Sequence, residues 1–155
     1  MKKDSDHPHV LAPPPVIYGL FLAAGLGLNY LLPTVVLPAV FCYPVGGVLF
    51  VSGLCLVVAA IRRFHQANTP VEPWKESRAI VMDGPYRYSR NPIYAAMSSM
   101  YLGVGFAVNS LWILALFVPL IVVMRHGVIA REERYLEKKF GDTYRSYKAR
   151  VRRWL

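Results

Sequence analysis

Two segments of the sequence combine side chains that could do chemistry. The first, GPYRYSRNPIY at 84–94, holds two arginines and three tyrosines directly before an apolar run. Gly84-Pro85 is typical of a turn, and Asn91-Pro92 predicts an N-cap followed by the first turn of a helix. The free N–H groups of a helix start, together with Arg87 and Arg90, favour a carboxylate or phosphate ligand. The alternative is a capped helix with interfacial tyrosine and arginine anchors.

The second segment is REERYLEKKFG at 131–141. Residues spaced by four would share one helical face: Val128, Glu132, Leu136 and Phe140. Glu132 then lies on an otherwise apolar face, with Glu133 beside it, and a carboxylate in such a place needs a cationic or hydrogen-bonding partner. The alternative is a solvated helix with Glu–Lys pairs. Gly141 is predicted to end this helix.

Other kinds of site have little support. The four histidines show no ligand-like spacing to one another or to the two cysteines, so no metal site is expected. The sequence has no glycine-rich phosphate loop after a strand. A net charge of +9 could suit a nucleic acid, but its uneven placement beside apolar runs predicts a membrane partner and no nucleic acid.

Four uncharged apolar runs predict about four transmembrane helices, at 16–32, 44–61, 92–108 and 111–126, the last extended by snorkelling of Arg125 and His126. Only 17% of the residues are charged, against about 25% in soluble domains. Because two residues separate the third run from the fourth, these two are expected to form a helical hairpin. Residues 1–155 are therefore expected to form a single all-α, membrane-embedded domain.

The charges predict the orientation of this domain. All 18 basic and 9 acidic residues fall in three segments, which four spans would place on one side: 1–15, 62–91 and 125–155. The positive-inside rule makes that side cytoplasmic. Both termini, the loop 62–91 and C-terminal helices over 128–155 are then expected in the cytoplasm. The last of these helices is amphipathic and basic, which predicts that it lies in the membrane interface. The lysine-rich start and short loops indicate a bacterial inner membrane.

Small residues recur at every fourth position of the third run: Ala95, Ser99 and Gly103. Such a stripe lets membrane helices approach closely. It could serve packing within the chain or a homo-oligomer, and the sequence leaves both open.

From about residue 69 onward the chain resembles the isoprenylcysteine carboxyl methyltransferase and phospholipid methyltransferase superfamily. The matching pieces are TPVEPWKESRAIVMDGPYRYSRNPIY, a helical hairpin, and EERYLEKKFGDTYRSYKARVRRW, in that order. The resemblance implies a small integral-membrane enzyme that uses S-adenosylmethionine to methylate a lipophilic acceptor: an isoprenoid or lipid carboxylate, or a phospholipid amine. One departure is Arg90-Asn91-Pro92, where eukaryotic carboxyl methyltransferases of the family have Arg-His-Pro.

The resemblance also implies a cofactor pocket between the loop before the third span and the Glu-Glu helix. The residues expected to line it are Arg78, Val81, Tyr86, Arg90, Asn91, Pro92, Ile93, Tyr94, Glu132 and Glu133. Tyrosine faces and a glutamate suit the cationic groups of the cofactor, and Arg90 suits its carboxylate. For an amine or thiol acceptor, Glu133 or a tyrosine is expected to act as general base. Arg125 and Arg131 are expected to orient an anionic acceptor.

Two other functions stay open. Membrane sterol reductases are similar in their C-terminal halves but use NADPH. A non-enzymatic scaffold could engage anionic lipid through the basic tail. The Glu132-Glu133 pair and the small size favour the methyltransferase, while the acceptor and the methylated atom are not predicted.

Overall fold

The computed structural model describes Pro8 and residues 10–154, and within them it is all-helical, as predicted. Two short turns accompany the helices: a 3₁₀ turn at Gly84–Arg87 and a π-helical turn at Met124–Ile129. The five α-helices are α1 Pro14–Leu31, α2 Ala39–Gln66, α3 Pro92–Ala107, α4 Leu111–Val123 and α5 Ala130–Arg150.

Three helices in the described residues are long and apolar enough to cross a membrane: α1, α2 and the continuous helix from Leu111 to Arg150. Each predicted apolar run lies within a helix. α3, however, has 16 residues, which at 1.5 Å per residue reach about 24 Å, less than the roughly 30 Å of a bilayer core. The number of spans therefore stays a prediction.

Small residues let α2 and α3 pack closely. A Cβ atom added to Gly103 would lie 2.9 Å from the carbonyl oxygen of Gly46, and one added to Gly53 would lie 2.7 Å from that of Ala96. The Ser99 hydroxyl donates to a carbonyl of α2 at 2.7 Å. The stripe of small residues on α3 thus serves packing within the chain.

The Asn109 side chain, in the turn between α3 and α4, forms hydrogen bonds to the α1–α2 loop. Asn109 has a φ of 56°, a left-handed conformation that asparagine tolerates. Its amide oxygen accepts the N–H groups of Val36 and Leu37 at 2.8 and 3.1 Å, and its amide nitrogen donates to the Leu37 carbonyl at 2.7 Å. These bonds place α1 beside α4 and α2 beside α3.

The π-helical turn joins α4 to α5 without a break. It packs against the N-terminal segment, where Leu11 N–H donates to the Gly127 carbonyl at 3.0 Å. A Cβ atom at Gly127 would lie 3.2 Å from the Leu11 side chain, so glycine allows this approach. Because a π turn takes an extra residue, it also changes which side chains of α5 face the bundle.

The C-terminal part differs from the prediction in where its last helix ends. Gly141 breaks α5 with a φ of 53°, as expected, but the helix ends at Arg150 and residues 151–154 are not helical. Tyr144 and Tyr147 of this helix are buried against the protein. The Tyr147 hydroxyl donates to the Tyr86 carbonyl at 2.7 Å, because that loop offers a carbonyl which no helix uses.

Candidate functional site

A cavity of about 370 Å³ lies where α1, α2, α3 and α5 meet the loop 70–81. This volume lies within the range of small-molecule sites, about 300–1,000 Å³. One end is apolar and is walled by residues from three helices: Pro14 and Pro15 of α1, Val57 and Ile61 of α2, and Met97 and Met100 of α3. The other end is polar and is built by the two segments that the sequence singles out.

Glu132 lies on the polar wall of the cavity. Its Oε2 accepts a hydrogen bond from the Tyr94 hydroxyl at 2.8 Å. Burial raises the pKa of Glu132 to about 7, since the bond from Tyr94 opposes this effect only in part and the charge of Glu133 adds to it. Near neutral pH this carboxyl can therefore both hold and accept a proton.

Glu133 is held by two arginines and is 6% exposed. Arg153 grips both carboxylate oxygens, with Nε 3.0 Å from Oε1 and Nη2 2.6 Å from Oε2. Arg90 approaches from the other side, with Nη1 3.1 Å from Oε1. Two guanidinium groups thus compensate one buried carboxylate, which fixes its position.

Arg90 is the buried cation of the site, with a side chain only 9% exposed. Its N–H groups do not align with Glu133, so Nε and Nη1 have no hydrogen-bond partner among the described residues. The hydroxyl of Tyr144 also interacts with this guanidinium. Burial without a hydrogen-bond partner is costly for a donor, and the ion pair with Glu133 offsets part of that cost.

Comparison with known proteins fits this arrangement. Residues 41–143 match the model of a family described as phospholipid methyltransferase. The chain belongs to the phospholipid methyltransferase family. This membership confirms the resemblance drawn from the sequence.

A stretch of 35 residues is 66% identical to an uncharacterised protein of Haemophilus influenzae. The match covers 23% of this chain and 56% of that relative, so it spans only about half of the relative's length. No solved structure matches the chain.

Most residues predicted for the cofactor site line one cavity: Val81, Tyr86, Arg90, Asn91, Ile93, Tyr94, Glu132 and Glu133. Arg78 and Pro92 do not line it: Arg78 is exposed and its N–H donates to Thr69, while Pro92 is buried at the start of α3. Arg125, which is exposed on the π turn, and Arg131 on α5 also lie outside its wall. Their roles stay predictions.

Asn91 stands at the predicted N-cap position, but its side chain makes no capping bond. Its amide nitrogen instead donates to the carbonyl of Arg153 at 3.0 Å. The acceptor, the Arg153 carbonyl, lies far from Asn91 in the sequence, so local spacing does not predict this bond. An amide can make this bond where the related eukaryotic enzymes have a histidine.

The sequence analysis missed several residues of this site. Arg153 binds Glu133, and its only signal in the sequence is its place in the run Arg152-Arg153-Trp154 at the end of the resembling segment. The others are aromatic residues whose positions depend on tertiary contacts: Trp74 on the cavity wall, and Tyr144 and Tyr147 on α5. Among the described residues no cluster of three metal-binding side chains occurs.

Proposed function

We propose that this protein transfers a methyl group from S-adenosylmethionine to a lipophilic acceptor at the cytoplasmic face of the membrane. The observation that carries the proposal is one cavity with two unlike ends. The polar end has a buried arginine and a titratable carboxyl, and the apolar end lies between helices that suit a membrane. Family membership supports the reaction class.

The polar end fits the groups of the proposed cofactor, which carries a carboxylate, an ammonium, a sulfonium and an adenine. Arg90, which lines the cavity, would attract the carboxylate through its positive charge. Glu132 would compensate a cationic group, and the aromatic rings of Tyr86 and Tyr94 would lie against the remainder. The cofactor would supply a methyl group activated by the adjacent sulfonium charge.

The apolar end suits the acceptor. α2 packs mainly on α3 and α1 mainly on α4, and α1 and α2 do not pack extensively on each other. The cavity wall includes the start of α1 and the second half of α2. A lipid acceptor would therefore enter between α1 and α2 and lie over Met97 and Met100 of α3. The proline, valine, isoleucine and methionine side chains of this end would exclude water and align the acceptor with the polar end.

Among the carboxyls of the site, Glu132 is the better placed to take a proton from the acceptor. Glu133, the base expected from the resemblance, is engaged by Arg90 and Arg153. Glu132 has a pKa of about 7 and faces the cavity, and a general base works best when its pKa lies near the working pH. An amine or thiol acceptor would use it, whereas a carboxylate acceptor would not need it.

Titration calorimetry of S-adenosylhomocysteine and, separately, NADPH into the detergent-purified protein tests the proposal. We expect micromolar binding of S-adenosylhomocysteine, none of NADPH, and loss of binding in Tyr94→Ala. Tyr88→Ala is the matched control, because Tyr88 lies in the same loop but is 74% exposed. Binding of NADPH alone would support the reductase alternative. Absence of both, in detergent and in lipid nanodiscs, would overturn the proposed cofactor.

A further inference from the structure

The loop between α2 and α3 covers one side of the cavity. Its residues 70–81 form no helix or strand, and most of them line the cavity. Trp74 belongs to this wall and is also 38% exposed, so its side chain lies between the cavity and the surroundings of the protein. The rest of the wall is built mainly by helices, so this loop is the part of the wall that can move without separating the helices.

Residues 70–77, which we call the lid, are closed at their base by a hydrogen bond. The Arg78 N–H donates to the Thr69 hydroxyl oxygen at 2.9 Å. Thr69 is buried, and its N–H donates to the Phe64 carbonyl of α2 at 3.2 Å. A compact surface loop whose ends are held together is an Ω-loop, a type that is frequently functional. The base is therefore fixed to α2, and the lid extends from it.

The lid keeps its own shape. The Lys75 N–H donates to the Glu72 carbonyl at 3.0 Å, and the two side chains form an ion pair across the turn. Pro73, inside this turn, has a fixed φ. Each of the residues 70–77 is partly or fully exposed, whereas Thr69 at the base is buried. A movement of the lid therefore takes no side chain out of a hydrophobic core, and it can occur as one body.

The latch that joins the lid to α5 consists of a hydrogen bond and an ion pair. The Ser77 N–H donates to the Tyr135 hydroxyl oxygen at 3.2 Å. The Lys139 ammonium pairs with Glu76 at 2.7 Å and also donates to the Tyr135 hydroxyl at 3.2 Å. Tyr135 and Lys139 are four residues apart, so they share one face of α5. A neutral hydrogen bond and an ion pair whose glutamate is 61% exposed are both weak, so the latch can hold the lid closed and still release it.

We propose that residues 70–77 are a lid through which the cofactor enters and leaves, and that Tyr135 is the positioning residue that holds this lid closed. The inference rests on the proposed S-adenosyl cofactor. A ligand with several charged groups cannot enter through the apolar end of the cavity, because its charges would lose their hydration there. The exposed charges of Lys75 and Glu76 place the outer face of the lid in water. The cofactor and the lipid acceptor would thus use different entrances.

The latch joins two parts of the protein outside the cavity, since Glu76, Tyr135 and Lys139 are not among the residues that line it. Its loss should therefore favour opening equally with and without a ligand. In Tyr135→Phe we expect the association and dissociation rates of S-adenosylhomocysteine to rise together by about 2- to 10-fold, the equivalent of one hydrogen bond. The Kd should stay within about twofold of the wild-type value, because both rates change by the same factor.

Stopped-flow binding to the full-length protein in detergent measures both rates. Two lysine variants of α5 form a matched pair, because each removes an ion pair with a glutamate. Lys139→Met breaks the pair with the lid and should raise both rates, as Tyr135→Phe does. Lys148→Met breaks a pair with Glu137 that lies within α5 and should change neither rate.

A reversible cross-link separates a moving lid from a fixed wall. Glu76→Cys and Lys139→Cys, with Cys55→Ser to remove the exposed native thiol, can be joined by a short bis-methanethiosulfonate reagent and released by dithiothreitol. The protein is first loaded with radiolabelled S-adenosylhomocysteine. The cross-linked form should then keep the label at least about tenfold longer against an unlabelled chase, and reduction should restore exchange.

Three results would overturn the inference: exchange that the cross-link does not slow, unchanged rates in Tyr135→Phe, or a raised Kd in that variant without faster association. The last result would mean that Tyr135 supports the site and does not gate it. Failure of the wild-type protein to bind S-adenosylhomocysteine would overturn the proposed function itself, which is a separate result seen before any variant is made.

Discussion

Replacement of Glu132 by glutamine should stabilise the protein while it impairs the site. The pKa of Glu132 is raised from its ordinary value of 4.5 to about 7, chiefly because the carboxyl is buried. At a pH between these two values, the unfolded chain has released this proton while the folded protein keeps it. Stability therefore falls as pH rises from about 4.5 to about 7, and stays lowered above that range. Glutamine removes this penalty and can still accept the Tyr94 hydroxyl.

The size of the effect follows from the two pKa values. Each pKa difference of one corresponds to about 1.4 kcal/mol, so ionised Glu132 lowers the free energy of unfolding by about 3 kcal/mol above pH 7. The side chain keeps partial solvent contact through the cavity, which makes this an upper value. For a chain of about 150 residues, 1 kcal/mol shifts the Tm by roughly 2–4 °C. Glu132→Gln should thus raise the Tm at pH 8 by up to about 10 °C.

Thermal unfolding in one detergent at pH 4.5, 6 and 8 measures this difference. The Tm of Glu132→Gln should equal that of wild type at pH 4.5 and exceed it increasingly toward pH 8. Asp83→Asn is the control, because Asp83 is exposed and its substitution should give no such trend. A Tm difference that does not change with pH, or a Glu132→Gln protein less stable than wild type at pH 8, would refute the burial argument.

Three further substitutions test how the site is supported. Gly103→Leu should separate α2 from α3 and destabilise the protein by about 1–3 kcal/mol or more, whereas Gly47→Leu, with no atom within 4 Å of its added Cβ, should not. Asn109→Ala should lower the free energy of unfolding by about 1–3 kcal/mol, since the α1–α2 loop loses its anchor; an unchanged Tm would contradict this. Tyr147→Phe loses one bond to Tyr86, so we expect about 1 kcal/mol of destabilisation by thermal unfolding, and equal stability would argue against that bond.

Local patterns in the sequence predicted the elements that carry the site. Uninterrupted apolar runs became helices because a backbone in an apolar environment must satisfy its own hydrogen bonds. The four-residue spacing put Glu132 and Leu136 together on the cavity wall, since that spacing is the helical repeat. Asn91-Pro92 marked the start of α3, because proline fits the first helical turn.

The predicted helix boundaries that are wrong are those set by contacts between residues far apart in the sequence. α5 ends at Arg150, short of the predicted end, because the next residues bond to the loop before α3. Asn91 does not cap α3, and its side-chain amide nitrogen instead donates to the Arg153 carbonyl. The join between α4 and α5 is a π turn, which packs against the N-terminal segment near Leu11.

By itself the sequence determined where the helices lie, which segments carry charge and which glutamate pair stands beside the apolar side, because each of these depends on neighbours within about one helical turn. Only the tertiary structure decided that Arg153 rather than a nearby lysine binds Glu133, 20 residues away, and that Arg90 approaches the same carboxylate. A carboxylate can pair with any cation that reaches it, and reach is set by the folded backbone. The choice of partner is therefore a property of the fold and not of the local pattern.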